Sequence, residues 1–318
     1  MKKQTGLKAL AVILLCAACI WYMLPQRQRR EILSASDHLA GQERILQEAP
    51  GEPGLKVHFI DVGQGDAALV ESDGHFMLVD AGENEQADHV VTYLHDQGVD
   101  RLDYIIGTHP HSDHIGALDD VAQNFSVGGA ILSPVSYDTW TYRHLEEVLE
   151  TEGISREAAV PGTQYALGSA GFTILAPNRD YGESVNDWSV AVRIVYGDTA
   201  FVLTGDAQAD AEADMCQSGL ELQADVLKLG HHGSSTSTTR EFLEAVSPEA
   251  VVVSCGQGND YGYPHKRVMG RLADLAVYRT DEQGTIIAAS DGERIVWNTQ
   301  QLRRESAAQV PEAGGDID

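Results

Sequence analysis

Residues 109–114 read His-Pro-His-Ser-Asp-His, and four of these six side chains can bind a metal ion. They follow an apolar run at 102–106 that predicts a strand leading into a loop. On an extended backbone His109 and His111 point to the same side, so they can share one metal, while Asp113 and His114 face a second. Imidazole combined with carboxylate favours zinc, manganese or iron over calcium and magnesium. Solvated loop histidines are the alternative, but this density of ligands favours a binuclear metal site.

Four further motifs place polar residues within or after apolar runs. They are Val-His-Phe-Ile-Asp-Val-Gly-Gln-Gly-Asp at 57–66, Phe-Met-Leu-Val-Asp-Ala-Gly at 76–82, Leu-Thr-Gly-Asp at 203–206 and Leu-Lys-Leu-Gly-His-His-Gly-Ser at 227–234. Together with His-x-His-x-Asp-His, these motifs resemble the metallo-β-lactamase fold hydrolases. The first and last resemble a narrower branch: the soluble C-terminal domain of the ComEC competence proteins and related secreted hydrolases, including teichoic acid phosphorylcholine esterases. The resemblance covers about residues 55–297.

This resemblance implies an α/β fold, a four-layer αββα sandwich, with two divalent metal ions, zinc first and manganese as the alternative. It implies that His109, His111 and the bridging Asp206 hold the first metal. Asp113, His114, Asp206 and one of the two histidines 231 and 232 would hold the second.

The roles of the paired histidines remain open at this stage. Adjacent side chains at a strand end point in opposite directions, so we predict His231 as the ligand and His232 as a contact to phosphate or leaving group. Asp80 resembles the residue that accepts a proton from a ligand imidazole and fixes its tautomer. Asp61 is predicted to act in the same way.

The segment before Asp206 departs from the wider superfamily, in which another histidine often binds the first metal. No histidine occurs between residues 145 and 230. Instead Asn186 and Ser189 are candidates to line the site, with a simple turn as the alternative. The weaker substrate candidates beyond this segment are the backbone amides of Gly233 and Ser234, which could cradle an anion, and the side chain of His265.

The N-terminal segment predicts a membrane anchor. An apolar run at 7–24 has basic residues on both flanks, which favours a retained signal-anchor helix within 1–25 over a cleaved signal peptide or a lipoprotein. A polar linker at 26–53, a hydrolase domain at 54–300 and a flexible tail at 301–318 complete the predicted organisation. Within the domain, Cys216 and Cys255 are predicted to be buried thiols.

Alternating strand and helix patterns fill the predicted domain. The apolar periodicity predicts helices near 85–97, 144–152, 208–218, 239–246 and 266–276. Between them, short apolar runs predict strands that form two largely antiparallel sheets.

The predicted function is an extracytoplasmic, membrane-anchored hydrolase of phosphodiesters in which a metal-bound hydroxide is the nucleophile. Its substrate would be a cell-wall or small-molecule diester, or a nucleic acid. A formal net charge of −26 weighs against nucleic acid, because phosphate binding normally requires a basic surface. The alternatives are a lactamase- or lactonase-like hydrolase and a non-catalytic metal-binding module of the envelope. No protein partner is inferred.

Overall fold

The computed structural model describes residues 53–300. The predicted anchor, the tail and all but the last residue of the linker lie outside this range. Within it no helix is long and apolar enough to cross a membrane. Cys216 and Cys255 are both free thiols: Cys255 is buried, as predicted, and Cys216 is half-buried.

Seventeen strands form two large sheets and one small one in the described range. The first sheet contains β1 (Leu55–Phe59), β2 (Ala67–Ser72), β3 (His75–Ala81), β5 (Tyr104–Gly107), β7 (Ala130–Leu132), β8 (Arg156–Ala158), β16 (Ile286–Ser290) and β17 (Ile295–Thr299). The second contains β9 (Gln164–Leu167), β10 (Ala170–Ala176), β11 (Ala191–Tyr196), β12 (Thr199–Leu203), β13 (Val226–Lys228), β14 (Ala250–Val253) and β15 (Ala276–Arg279). The small sheet pairs β4 (Arg101–Leu102) with β6 (Ser126–Val127).

Helices connect the strands. They are α1 (Ala87–Asp96), α2 (Ser112–Ile115), α3 (Leu118–Asn124), α4 (Trp140–Thr151), α5 (Ala209–Gln217), α6 (Arg240–Val246), α7 (Lys266–Met269) and α8 (Thr280–Gln283). Single 3₁₀ turns occur at Asn84–Gln86, Val185–Trp188 and Gly230–Gly233.

The side chains of each sheet alternate between two apolar layers. In β2, for example, Val70 packs between the two sheets, whereas Leu69 packs against the helices that cover the first sheet. The first sheet is covered by α1, α3 and α4, and the second by α5, α6 and α7. Burial of each such leucine contributes about 1.5–3 kcal/mol. The order of layers is therefore helix, sheet, sheet, helix.

Two predictions about the elements are wrong. The sheets are mixed rather than largely antiparallel: β3, β5, β7 and β8 run parallel, as do β12 to β15. The predicted helix at 266–276 ends at Met269, and residues 276–279 form the edge strand β15. Gly270 ends the helix at its C-cap, and the apolar residues beyond it pair with β14.

The parallel strands explain where the polar motifs meet. The carboxyl ends of parallel strands lie at the same edge of a sheet, which is where ligands bind in open α/β sheets. β12 leads into Asp206 and its parallel neighbour β13 into the histidine pair, so these two motifs emerge at one edge of the second sheet. β5 of the first sheet leads into His109, whose ring lies close to Asp206.

Candidate metal centre

Two groups of possible ligand atoms share one carboxylate. In one group the ligand atoms of His109, His111 and Asp206 lie within 4.8 Å of one another. In the other the same holds for His114, His232, Asp206 and Asp66. The structure thus brings together residues from 66 to 232, and Asp206 belongs to both groups.

The turn that carries Asp206 depends on a glycine. Gly205 has φ +52°, and a Cβ there would lie 2.8 Å from Oγ1 of Thr108. A larger residue would push this turn away from the end of β5. Ser189 fixes the same turn, because the backbone N–H of Asp206 donates to its Oγ at 3.0 Å. That Oγ also lies 3.4 Å from Nδ1 of His109, so Ser189 contacts both sides of the first group.

Asp80 orients one of the histidines. Nδ1 of His114 donates to its Oδ2 at 2.8 Å, and the backbone N–H of Thr108 donates to Oδ1 at 2.8 Å. Because Nδ1 of His114 is engaged in this way, Nε2 faces Asp206, whose Oδ1 is 3.2 Å away. This is the contact that the predicted tautomer-fixing role requires.

The histidine pair lies in a turn rather than on a strand. β13 ends at Lys228, and His231 and His232 both adopt left-handed backbone angles, with φ 50° and 54°. Such angles are uncommon for residues other than glycine and cluster at functional sites. Strand alternation therefore does not apply, and the assignment based on it needs correction: His232 belongs to the inner group and is buried, whereas His231 lines the open cavity.

Asp113 lies beside the second group. Its Oδ2 is 3.2 Å from Nε2 of His232 and 3.9 Å from Nε2 of His114. The structure therefore also allows Asp113 to complete that group, as the sequence predicted.

Asp61 is not brought to the centre. Its carboxylate accepts a hydrogen bond from the backbone N–H of Gly63 at 3.2 Å and belongs to neither group. The residue that reaches the centre from this motif is Asp66, which sequence reasoning missed although it closes the same motif. The loop between them turns the chain, so the final aspartate, and not the first, faces the histidines.

One of the two backbone amides of the predicted anion cradle is already engaged. The backbone N–H of Ser234 donates to the carbonyl of His231 at 2.7 Å, so it is used within the turn. Gly233 lies against Pro264, where a Cβ would approach to 2.6 Å. Nδ1 of His265 accepts from the backbone N–H of Ser235 at 2.9 Å, which gives this histidine a role in holding the loop.

A cavity of about 480 Å³ opens over both groups. Asn186 lines it, with Nδ2 3.5 Å from the ring nitrogens of His231. Tyr263 lines it too, and its hydroxyl lies 3.2 Å from Nε2 of His231. Its described lining contains three histidines, tyrosines, carboxylates and neutral polar side chains but no Lys or Arg.

Burial and the neighbouring charges shift the pKa values of the centre in opposite directions. Burial alone would lower the pKa of His114, but Asp206, Asp113 and Asp80 raise it well above its usual value. Burial would raise the pKa of Asp206, yet the imidazoles of His114 and His232 hold it well below its usual range. In the same way, carboxylates outweigh burial and raise the pKa of His232 to about 9. Several buried carboxylates thus require positive charge at this position.

The donor atoms fit a divalent cation. Buried Nε2 of His114, Nε2 of His232 and Oδ1 of Asp206 have no hydrogen-bond partner, although some lie within 3.5 Å of one another. These imidazole nitrogens and this carboxylate oxygen lie close together without hydrogen bonds. A metal ion between them would supply the missing partner for each. Ligand imidazoles must be deprotonated, so binding would release the protons that the carboxylates hold there.

Comparison with known proteins now identifies the family. The sequence profile described as "Metallo-beta-lactamase superfamily" matches residues 60–257, more than half of the chain. The chain belongs to the metallo-beta-lactamase superfamily. Membership accords with a sandwich of two sheets that carries its polar motifs at one edge, and it confirms the family resemblance of the sequence.

Relatives within the superfamily include competence proteins. The chain is 28% identical to ComE operon protein 3 of Bacillus subtilis (strain 168) over 251 residues, which are 73% of this chain and 32% of that protein. It is 32% identical to Competence protein ComA of Neisseria gonorrhoeae over 252 residues, 78% of this chain and 34% of the relative. The chain spans about a third of the length of each. The narrower resemblance to competence proteins is therefore also confirmed.

Among solved structures, the metallo-beta-lactamase fold protein YhfI from Bacillus subtilis matches with a TM-score of 0.45 and 16% sequence identity. The match covers 71% of this chain and 95% of that protein.

Proposed function

We propose that this superfamily member is a phosphodiesterase that uses two divalent metal ions, zinc or manganese. The observation that carries the proposal is the single buried carboxylate, Asp206, shared by two groups of imidazole and carboxylate ligands. Two ions bound there would supply a hydroxide nucleophile near neutral pH and stabilise negative charge on the leaving oxygen. A carboxylate suits the shared position because its two oxygens can serve two cations.

The chain's own residues would hold and orient these partners. His109, His111 and Asp206 would bind the first ion, with Ser189 fixing Asp206 and contacting His109. His114, His232, Asp206 and Asp113 would bind the second, with Asp80 fixing the ring of His114.

The cavity wall would orient the substrate. His231 is held by Tyr263 on one side and by Thr236, whose Oγ1 lies 3.1 Å from Nδ1, on the other. Asn186 lies beside it. Because this wall lies outside both ligand groups, we assign it to contacts with the phosphodiester and its leaving alcohol.

Charge favours a small or cell-wall diester as the substrate. A nucleic-acid strand brings many phosphates, and proteins neutralise these with Lys and Arg. This chain carries a net charge of −26, and the described lining of the cavity has no Lys or Arg. One phosphodiester group could be neutralised by the two ions alone.

Nucleic-acid cleavage is the second candidate. It is favoured by the similarity to proteins named for competence. Metal ions can invert the local potential of an acidic site, so a single-stranded end could still enter.

We further propose that residues 7–24 anchor the protein in a membrane and that the catalytic domain lies on the extracytoplasmic side. The apolar run supports the anchor. The extracytoplasmic side rests on the resemblance to the competence proteins, because basic residues on both flanks do not set the orientation. Its partners would then be the membrane and a phosphodiester of the envelope.

A substrate panel tests the proposed function. The purified full-length protein, with added zinc or manganese, is offered bis-p-nitrophenyl phosphate, a plasmid and single-stranded oligonucleotides. Hydrolysis of the small diester without cleavage of DNA supports the first candidate, and cleavage of DNA supports the second. No hydrolysis of any diester would rule out both, and an Asp206→Asn preparation controls for contaminating enzymes.

A further inference from the structure

A buried lysine lies beneath the second group of ligands. Lys228 ends β13, and only 4% of its side chain is exposed. Its Nζ donates to Oδ2 of Asp66 through a short contact and to the carbonyl of Leu229 at 3.1 Å. Burial of a charged lysine costs free energy even when a carboxylate partner compensates part of that cost. A pair of this kind is therefore weak evidence for stability, and its place beside the ligands points to a functional role.

The backbone holds Asp66 in place from two sides. Its N–H donates to the carbonyl of Asp113 at 3.0 Å, and its own carbonyl accepts from the N–H of Gly82 at 2.8 Å. The approach to Asp113 requires Gly65, which has φ +132° and whose Cβ would lie 2.3 Å from that carbonyl oxygen. The backbone position of Asp66 is therefore fixed, and one of its two carboxylate oxygens, Oδ2, is paired with Lys228.

The other oxygen of Asp66 faces the rear of a ligand histidine. Nδ1 of His232 donates to the carbonyl of Ser254 at 3.0 Å, and Oδ1 of Asp66 lies 3.2 Å from the same Nδ1 as an ion-pair contact without a hydrogen bond. A carbonyl can only accept, so Nδ1 carries a proton, and Nε2 is the nitrogen that would give up its proton to bind a metal ion. That Nε2 points at Asp113 and Asp206, on the opposite side of the ring from Asp66.

We infer that Asp66 is not a metal ligand but a positioning residue, and that Lys228 anchors it behind His232. The ion pair prevents Oδ2 from turning toward the metal position and leaves Oδ1 to hold the ring by its Nδ1 side. His232 then presents Nε2 to the second ion. The inference rests on the metal centre proposed above and adds two residues, 162 positions apart, to its support.

Zinc binding to the full-length protein tests this inference, with the two sites resolved by chelator competition. Lys228→Met keeps the length of the side chain and removes its charge. It should lower the affinity for the second zinc ion by roughly 10–100-fold, which is the usual effect of losing a residue that supports a metal ligand. The affinity for the first zinc ion should not change. The matched control is Lys56→Met, which breaks the half-exposed strand-to-strand pair of Lys56 with Glu71. It should change neither site.

A second variant separates positioning from folding. Lys228→Met alone leaves a buried unpaired carboxylate, so it could unfold. The double variant Asp66→Asn/Lys228→Met removes both charges and should fold, with the second zinc weakened and the absorption spectrum of cobalt at that site changed. Complete loss of the second ion in the double variant would show that Asp66 is a ligand, and wild-type affinity in it would show that the pair does not position His232. Either result overturns the inference, whereas failure of the wild type to bind zinc would overturn the proposed centre itself.

Discussion

Oδ2 of Asp80 accepts a hydrogen bond from Nδ1 of His114 at 2.8 Å, and both side chains are fully buried. The carboxylate thereby decides which nitrogen of the ring faces Asp206. Burial raises the pKa of Asp80, although His114 and the N–H of Thr108 act against this rise. Asp80 belongs to neither ligand group, yet it orients a histidine that does.

Asp80→Asn should lower the affinity for the second metal ion by roughly 10–100-fold without unfolding the protein. Asparagine tolerates the left-handed backbone of this position, φ 57°, so the change removes mainly the charge. Metal content after dialysis measures the effect. Asp73→Asn, at an exposed left-handed turn position, is the control and should retain both ions. Full occupancy in Asp80→Asn would mean that Asp80 does not hold His114.

The paired histidines should behave differently when each is replaced. His232→Ala removes a buried nitrogen that has no hydrogen-bond partner, so we expect loss of the second ion. His231→Ala removes a side chain of the cavity wall, so we expect two ions to remain while KM or kcat changes. Metal content and steady-state kinetics of the two variants distinguish the roles. The reverse pattern would restore the assignment that strand alternation suggested.

Glu212 gives the stability a pH dependence that has a definite sign. Burial raises its pKa from 4.5 to about 7, although its carboxylate accepts from the backbone N–H groups of Thr238 and Thr239. Between these two pH values the folded protein keeps a proton that the unfolded chain has released. The contribution of Glu212 to stability is therefore present below about pH 4.5 and is lost as the pH rises to about 7.

Urea unfolding in EDTA at several pH values measures this effect. The stability of the wild type relative to Glu212→Gln should fall by about 1–3 kcal/mol between pH 5 and 7 and stay level above pH 8. Glu244→Gln, at an exposed site on α6, should show no such trend relative to the wild type. A constant difference between the wild type and Glu212→Gln would contradict the raised pKa.

Removal of residues 1–30 should release the protein from membranes and leave a folded, active domain. The described residues form their own two-sheet core, which we expect to fold without the predicted anchor. Ultracentrifugation of cell extracts and circular dichroism compare the full chain with the truncated one. Aggregation of the truncated chain would show that the apolar segment belongs to the fold.

The sequence predicted those parts of the site that depend on short spacing. Residues 109–114 lie on one continuous loop and helix start, so their spacing alone places four side chains together. Asp206 follows an apolar strand directly, and the resemblance supplied its shared position.

The remaining parts depend on backbone turns and on contacts between distant residues. The left-handed angles of His231 and His232 reverse their roles, and a strand pattern cannot indicate them. The choice between Asp61 and Asp66 depends on how the loop at 61–66 packs against Asp113. A charged residue inside the apolar run 226–229 was the available signal for Lys228, but its partner lies 162 residues away.

The most direct measurement is a titration of metal-free protein with zinc while the hydrolysis of bis-p-nitrophenyl phosphate is followed. Two ligand groups that share Asp206 predict no activity without metal and a rise that saturates at two equivalents per chain. Asp206→Asn should bind less metal and remain inactive, with an unchanged circular dichroism spectrum. Full activity without metal, or in the Asp206→Asn variant, would contradict a hydrolytic centre built around this shared carboxylate.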